Sequence, residues 1–257
     1  MEILRSDSNG VCTLTFNRPN VFNSFNQTMA FQLQEALDAC SVDDNVRVIV
    51  LKGEGKAFCA GQDLAEVIDP EGPEMKKIVG EHYNPIILKI RNLEKPVIAA
   101  VNGVAAGAGA NIALACDVTI AKKSANFIQA FSKIGLIPDS GGTFLLPRLI
   151  GLQKAMALMF TGEKVSAEQA EKLNMIYKAV DDEAFEDEIL KFSEQLAIMP
   201  TRGLGLTKKA VNLGLFNNLE DQLAVEALLQ TEAGETEDFR EGVSAFLEKR
   251  TPIFKGK

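Results

Sequence analysis

The chain has 257 residues, of which 46% are hydrophobic and 24% are charged, a composition typical of a globular protein with one large domain or one domain and an appendage. Its formal net charge of −8 argues against a general binder of nucleic-acid phosphates, although a local cluster of cations can still bind a small anion. The four cysteines have no CxxC spacing and His82 is the single histidine, so neither a zinc site nor a disulfide framework is expected and a reducing compartment fits.

The sequence predicts neither a signal peptide nor a membrane span. No basic segment precedes an apolar one at the amino terminus, so a cytoplasmic location is expected. Residues 96–122 are long and apolar enough to cross a bilayer, but they are rich in Ala and Gly and include Asn102, Asn111 and Asp117. An aspartate at the bilayer centre costs about 2.5–3.5 kcal/mol, so this stretch is predicted to be buried in the protein.

Strands and helices alternate in the first half of the chain. The Asn9-Gly10 turn signal between two β-prone runs predicts a hairpin. Apolar residues at helical spacing predict a helix over residues 26–39, with Asn26 as its N-cap. The alternation favours a largely parallel, buried sheet with helices outside. The other predicted elements are strands at 46–52, 96–101 and 118–121, a helix at 75–93 that Pro85 kinks, and a helix from Gly107 to Ala115.

The last third of the chain has a different character. From Ser166 onward the pattern is helical, with almost no strand signal, and Met199-Pro200 marks a junction. Two or three amphipathic helices are predicted over residues 201–250. We therefore expect a core over residues 1–199 and a helical region over residues 200–257 that packs on a neighbour or on its own core.

Three segments carry candidate chemistry. In residues 102–111 a strand, a glycine-rich turn and a helix start leave backbone N–H groups free for an anion, although tight packing explains the glycines equally well. In the segment FCAGQDL (58–64), the strand ends at Gly61 and can leave the backbone amides of Gln62 and Asp63 exposed for a ligand. The alternative is a plain strand-to-helix turn in which Asp63 caps the helix. Asp139 lies between a proline and a glycine pair in apolar surroundings, where it is either a helix cap or a desolvated carboxylate with a raised pKa that can move protons.

Together, these segments resemble the crotonase (enoyl-CoA hydratase/isomerase) superfamily. The resemblance rests on FCAGQDL, on KPVIAAVNGVAAGAGANIALACD (95–117) and on FSKIGLIPDSGGTFLLPRLIG (131–151), and it extends over essentially the whole chain. It implies a spiral of ββα units, a helical carboxyl-terminal region used in assembly of a homotrimer or a dimer of trimers, and an acyl-CoA thioester substrate. No metal and no redox cofactor is implied, because coenzyme A is part of the substrate.

The resemblance also assigns roles to individual residues. The backbone N–H groups of Gln62 and Ala108 would form an oxyanion hole for the thioester oxygen, so replacing Gln62 by Ala is expected to matter little. Hydratases of the superfamily activate water with two glutamates, whose positions are occupied here by Asn111 and Phe131. Neither side chain can take a proton, so hydration is doubtful. Asp139 stands where some isomerases of the superfamily keep their proton-transferring carboxylate.

Within the superfamily, the sequence most resembles isomerases that convert the ring epoxide of phenylacetyl-CoA to a seven-membered oxepin. An aliphatic 3,2-enoyl-CoA isomerase, a 4-halobenzoyl-CoA dehalogenase and a CoA-thioester-binding relative without catalysis remain alternatives. The dehalogenases use an Asp at the position of Asp139, but they carry a Trp at the position of Phe131 and an activating His just before the position of Ile134, where this chain has Ser132-Lys133.

The predicted ligand contacts follow from the same resemblance. Coenzyme A is expected to bind at Val21, Phe22, Ala60, Asp63 and Leu64. Phe131 and Ile137 are expected to line the acyl pocket. Basic residues at the carboxyl terminus are further candidates for the CoA phosphates, and His82 is predicted to lie at the surface or in a loop without a role. These basic residues are Lys249, Arg250, Lys255 and Lys257.

Overall fold

The computed structural model describes residues 1–257, which form two β-sheets surrounded by helices. The strands are β1 (Ile3–Ser8), β2 (Val11–Phe16), β3 (Val48–Gly53), β4 (Ala57–Cys59), β5 (Val97–Val101), β6 (Val104–Ala106), β7 (Val118–Lys122), β8 (Asn126–Ile128), β9 (Lys164–Ser166) and β10 (Lys178–Val180). The helices are α1 (Gln27–Val42), α2 (Leu64–Ile68), α3 (Met75–Lys77), α4 (Asn84–Asn92), α5 (Ala108–Ala115), α6 (Gly142–Ile150), α7 (Leu152–Thr161), α8 (Ala167–Lys172), α9 (Phe185–Ala197), α10 (Thr201–Gly214), α11 (Leu219–Gly234) and α12 (Glu237–Glu248).

In the middle of the chain, successive strands belong to different sheets. The larger sheet has the order β1-β2-β3-β5-β7-β10 and is parallel except for the β1–β2 hairpin. The smaller sheet has the order β4-β6-β8-β9 and is parallel except for the β8–β9 pair. From β3 to β8 the chain crosses from one sheet to the other at each strand, and helices follow each strand pair. The predicted α/β spiral of ββα units is therefore confirmed.

Helix α5 is built from small residues and is completely buried. Its first turn packs directly on the end of β4, since a Cβ atom added to Gly109 would lie 2.3 Å from the Cys59 carbonyl oxygen. Only glycine permits this approach. The amino terminus of α5 is consequently held beside the turn that follows β4. This contact places residues 58–64 next to residues 102–111, the two segments predicted to have free backbone N–H groups.

Most of the predicted elements are present, with two differences. The predicted helix at 75–93 consists of α3, a π-helical turn at Ile78–Tyr83 and α4, and Pro85 lies at the start of α4 rather than at a kink. Strand β10 lies in the region predicted to be helical, and β9 ends where that region begins. Both were missed, because three-residue strands are too short to show a period of two. The apolar stretch 96–122 comprises β5, β6, α5 and β7, and no helix of the protein combines the length and apolarity that a membrane crossing requires.

Polar contacts attach the last three helices to the spiral. The Arg47 guanidinium donates hydrogen bonds to the Thr201 hydroxyl at 2.9 Å and to the carbonyl oxygens of Met199 and Phe254. Lys208 on α10, nearly buried, donates to the Asp117 carboxylate at 2.8 Å. These helices and the segments that follow them expose many large apolar side chains, namely Phe216, Leu219, Leu223, Leu228, Phe239, Phe246, Leu247 and Ile253.

Candidate active site

A cavity of about 460 Å³ lies between the start of α5, the α2–α4 region and the 3-10 turn at Ala130–Ile134. Its wall is predominantly apolar and contains a single carboxylate, that of Asp139. The cavity is lined by Ala60, Gly61, Gln62, Leu64, Val67, Ile68, Met75, Ile78, Tyr83, Gly107, Ala108, Ala130, Phe131, Lys133, Ile134, Leu136 and Asp139. All three segments singled out in the sequence therefore contribute to one site.

Two backbone amides in this wall have no hydrogen-bond partner within the chain. Ala108 is the first residue of α5, so its N–H has no acceptor inside the helix. The N–H of Gln62 is also free. Gly61 brings the two together, because a Cβ atom placed on it would lie 3.5 Å from the Ala108 nitrogen, and its φ of +96° suits glycine.

A β-bridge to Phe25 holds the Gly61–Asp63 segment in place. The Phe25 N–H donates to the Gly61 carbonyl at 2.7 Å, and the Asp63 N–H donates to the Phe25 carbonyl at 2.8 Å. Phe25 therefore satisfies the Gly61 carbonyl and the Asp63 N–H, whereas the Gln62 N–H, which shares a peptide group with that carbonyl, stays available for a ligand.

Asp139 has the environment expected of a proton-transferring carboxylate. Burial raises the pKa of its side chain above the ordinary value, because a desolvated carboxylate is disfavoured relative to the neutral acid. The Ser140 hydroxyl opposes this effect by donating a hydrogen bond to Asp139 Oδ1 at 2.9 Å. Asp139 faces the same cavity as the two free amides.

The Asn111 side chain holds the loop that carries Asp139. This side chain is completely buried, donates from Nδ2 to the Asp139 carbonyl oxygen at 2.8 Å and accepts at Oδ1 from Gln129 Nε2 at 2.8 Å. A Cβ atom added to Gly142 would lie 2.3 Å from Asn111 Nδ2, so the amide lies against the Gly142 backbone. The Asn111 amide thus uses one hydrogen bond to hold the loop that carries Asp139 and another to hold Gln129. Sequence reasoning missed this role and the contribution of Gln129.

The structure places the two predicted acyl-pocket residues differently. Phe131 is buried in the cavity wall, beside Gly107. Ile137, by contrast, is 80% exposed and does not line the cavity; Leu136 lines it instead. The expectation for Ile137 is therefore corrected: the turn before Asp139 directs Leu136 toward the cavity and leaves Ile137 in solvent.

The predicted CoA-binding residues are divided between the cavity and its surroundings. Ala60 and Leu64 line the cavity, whereas Val21 and Phe22 are exposed outside it. The Phe22 carbonyl accepts a hydrogen bond from the Ala60 N–H at 3.0 Å, which connects the two groups.

Four of the remaining predicted contacts form ion pairs with side chains of this chain, and Lys249 does not. Asp63 caps α2 and pairs with Arg18 at 2.9 Å, outside the cavity wall. Of the basic residues at the carboxyl terminus, Arg250 is paired with Glu241, Lys255 with Glu237 and Lys257 with Asp44.

His82 is buried, which corrects its predicted position at the surface. Its side chain is 1% exposed, its ring meets Phe31 edge-on at 5.3 Å, and neither ring nitrogen has a hydrogen-bond partner. Burial lowers the pKa of the imidazole, so the neutral form is favoured. The π-helical turn that contains His82 turns it inward and also places the neighbouring Tyr83 in the cavity wall.

The fold and this site define the class of protein. The family model described as "Enoyl-CoA hydratase/isomerase" matches residues 6–257, and the chain belongs to this family. An enoyl-CoA hydratase from Bacillus anthracis has a crystal structure that superposes with a TM-score of 0.93 at 33% identity, covering 100% of both chains.

Curated relatives with isomerase and hydratase names are both similar to this chain. The 1,2-epoxyphenylacetyl-CoA isomerase of Escherichia coli is 51% identical over 99% of this chain and 98% of its own. The trans-2-decenoyl-[acyl-carrier-protein] isomerase of Streptococcus mutans is 38% identical over 100% of this chain and 98% of its own. The 2,3-dehydroadipyl-CoA hydratase of E. coli is 33% identical over 100% and 99%.

Proposed function

We propose that this member of the crotonase family isomerises an acyl-CoA thioester, and that its substrate is ring 1,2-epoxyphenylacetyl-CoA. The observation that carries the proposal is the set of proton-transferring groups in the site. Asp139 is the one carboxylate in the cavity wall, and it lies in the same cavity as two free backbone amides. One carboxylate that removes a proton and returns it at another carbon is sufficient for an isomerisation. The relative that is 51% identical over nearly the whole chain carries the name of this reaction.

In the proposed reaction, the Asp139 carboxylate removes a proton from C2 of the acyl group. The electron pair of the broken C–H bond moves onto the thioester carbonyl, and the resulting oxyanion accepts hydrogen bonds from the N–H groups of Gln62 and Ala108. As the carbonyl re-forms, the electrons move into the ring, the carbon–carbon bond shared with the epoxide opens, and a seven-membered ring containing the epoxide oxygen results. Protonated Asp139 returns the proton to a ring carbon. The product has the composition of the substrate, and Asp139 ends as it began.

The surroundings of Asp139 argue against hydration. Adding water requires side chains that hold and activate a water molecule. Asn111 is committed to Asp139 and Gln129, and Phe131 presents an apolar ring to the cavity. A dry wall of this kind also protects a reactive epoxide from hydrolysis.

An aliphatic enoyl thioester is the second candidate substrate. A double-bond shift needs the same single base and the same oxyanion hole, and the S. mutans relative at 38% identity is named as an isomerase of an aliphatic decenoyl thioester. The two candidates therefore share a mechanism and differ in the group that the apolar wall accommodates.

Mass spectrometry with ultraviolet spectra of the products tests the proposal. The purified protein is incubated separately with 2-enoyl-CoA, 3-enoyl-CoA and ring-epoxide phenylacetyl-CoA. We expect a product of unchanged mass and altered spectrum, formed fastest from the ring epoxide. Faster conversion of 3-enoyl-CoA would select the aliphatic substrate, and addition of one water to 2-enoyl-CoA would contradict isomerisation.

Replacement of Ser140 by Gly is expected to move the acidic limb of the kcat/KM profile to higher pH. The base must be ionised, so activity rises with pH through the pKa of Asp139. The serine hydroxyl stabilises the ionised form, and its loss raises that pKa further. Glycine suits the backbone here, since Ser140 has a φ of +50°. The profile is measured with the substrate selected by the product assay.

Ser124→Gly is the matched control for this pH profile. The Ser124 hydroxyl donates to the partly exposed Asp182 carboxylate, and neither residue lines the cavity. Its removal should leave the acidic limb in place. An unshifted limb in Ser140→Gly would mean that Asp139 is not the group whose ionisation limits turnover.

We further propose that the chains assemble as a homotrimer, or a dimer of trimers, through helices α10–α12. Their exposed apolar side chains are more numerous than a monomer's surface requires, and grooves of about 580 Å³ and 450 Å³ lie between them. Sedimentation equilibrium of the full chain measures the number of copies directly.

A further inference from the structure

We infer that Tyr83 is a positioning residue, which acts by holding the Gln62 side chain and thereby restrains the position of the Gln62 N–H. The inference rests on the proposed function, in which that N–H binds the oxyanion. The sequence alone favoured a purely backbone role for Gln62, and the contacts of its side chain argue otherwise.

The Gln62 carboxamide is held at both of its polar atoms. The Tyr83 hydroxyl donates to Gln62 Oε1 at 2.9 Å, and Gln62 Nε2 donates to Glu66 Oε2 at 2.8 Å. Glu66 is itself fixed, because its other oxygen accepts from the N–H of Gln27, the first residue of α1, at 2.9 Å. The side chain therefore connects the cavity wall to α1, α2 and the π-helical turn.

Tyr83 is suited to act as a permanent donor. Its side chain is almost completely buried, and burial raises the pKa of the phenol well above the ordinary value, so the hydroxyl keeps its proton. The ring packs against Phe25 at 5.9 Å, the residue whose backbone bridges Gln62. Tyr83 is the last residue of the π-helical turn, which inserts an extra residue into the α3–α4 helix; such insertions are frequent at functional sites.

The Gln62 N–H is restrained from two sides. It shares a planar peptide group with the Gly61 carbonyl, so the hydrogen bond from the Phe25 N–H to that carbonyl sets the direction of the Gln62 N–H. The anchored side chain holds the Cα of Gln62 from the other side, and this second restraint limits movement of the whole peptide group. An oxyanion hole is effective only when its donors are oriented before charge develops, so loosening the side chain lowers the rate without removing the donor.

A double-mutant cycle with Tyr83→Phe and Gln62→Ala tests the inference. Each single variant should lower kcat about three- to tenfold, the equivalent of one net hydrogen bond, with KM changed by less than about twofold. The double variant should lose no more than either single variant, because Tyr83 acts only through Gln62. Multiplied losses in the double variant, or unchanged kcat in both single variants, would overturn the inference. Tyr177→Phe is the matched control, since Tyr177 is the other tyrosine of the chain and is exposed.

A substrate-independent measurement separates this inference from the proposed function. Acetoacetyl-CoA forms an enolate that absorbs in the near ultraviolet, and an oxyanion hole lowers the pH at which that band develops on the protein. The wild type should develop the band at lower pH than free acetoacetyl-CoA, and both single variants should need a higher pH than the wild type. A wild type without this effect would contradict the oxyanion hole, and with it the proposed function. If the wild type lowers the pH at which the band develops and the Tyr83→Phe and Gln62→Ala variants lower it equally, the inference about Tyr83 is overturned and the proposed function is not.

Discussion

Replacement of Asp139 by Asn is expected to lower kcat about 10²–10⁴-fold while leaving CoA-thioester binding nearly intact. The amide has the shape of the carboxylate and cannot accept the C2 proton, and a positioned general base contributes a factor of this size. The wall of the cavity contains no second carboxylate to replace it. Turnover and thioester affinity are measured separately, by product formation and by calorimetric titration. Near-normal turnover in this variant would rule out the single-base mechanism.

The same variant is expected to be more stable than the wild type at neutral pH. The folded-state pKa of Asp139 is raised, so the native state binds the proton more tightly than the unfolded chain does. The stability that this gives is present below the unfolded pKa and is lost as pH rises through the folded pKa. An uncharged amide avoids that loss. The melting temperature of Asp139→Asn should therefore exceed that of the wild type at pH 7, and the difference should shrink as the pH is lowered.

Asp182→Asn provides the matched control for stability. This aspartate also accepts a hydrogen bond from a serine hydroxyl, but it is partly exposed and its pKa is lowered by Ser124. By the same linkage its ionised form favours folding at pH 7, so the control variant should melt at the same temperature or slightly lower, with normal turnover. A lower melting temperature in Asp139→Asn than in the wild type at pH 7 would contradict the idea that burying the charged Asp139 carboxylate destabilises the folded state.

Replacement of Ala108 by Pro is expected to have the second large effect, a loss of about 10²–10³-fold in kcat, or about 2.7–4 kcal/mol of transition-state stabilisation. Proline lacks the N–H that the proposed oxyanion hole uses. Position 108 is the first residue of α5, where proline costs a helix least, and the preceding Gly107 tolerates the restriction that proline imposes. Turnover is followed together with the acetoacetyl-CoA enolate band, which should weaken in parallel.

Leu152→Pro is the control for the backbone effect of proline. Leu152 is likewise the first residue of a helix, α7, and likewise follows a glycine, but it is exposed and lies outside the cavity. Its replacement should leave turnover within about twofold of the wild type. If Ala108→Pro folds and retains both turnover and the enolate band, the Ala108 N–H has no part in the reaction.

Local signals in the sequence predicted the fold well. Asn9-Gly10 connects β1 to β2, and the Asn26 side chain caps α1 by accepting from the Met29 N–H. The glycine-rich turn leads into α5 as expected. Each of these features is formed by residues that are neighbours in the chain, so the residue types at a few consecutive positions are enough to predict it.

The sequence did not predict the side-chain contacts that support the site. The hydroxyl of Tyr83 reaches Gln62 across 21 positions, and Asn111 reaches the Asp139 carbonyl across 28. Such hydrogen bonds have no period and no local spacing, since they depend on how distant elements are brought together. The burial of His82 was missed for the same reason: one π-helical turn rotates the helix face, and the polar character of a lone histidine favours the surface.

The contact between Asn111 and Gly142 has an evolutionary consequence. A longer, charged side chain at position 111 would collide with the Gly142 backbone and would place a carboxylate against the Asp139 carbonyl where a donor now stands. A glutamate at position 111 therefore requires a different 139–142 turn, and this is the turn that carries the proposed base. Position 111 and the turn are coupled in this chain, so a hydratase-like site would need both to change, in addition to a glutamate in place of Phe131.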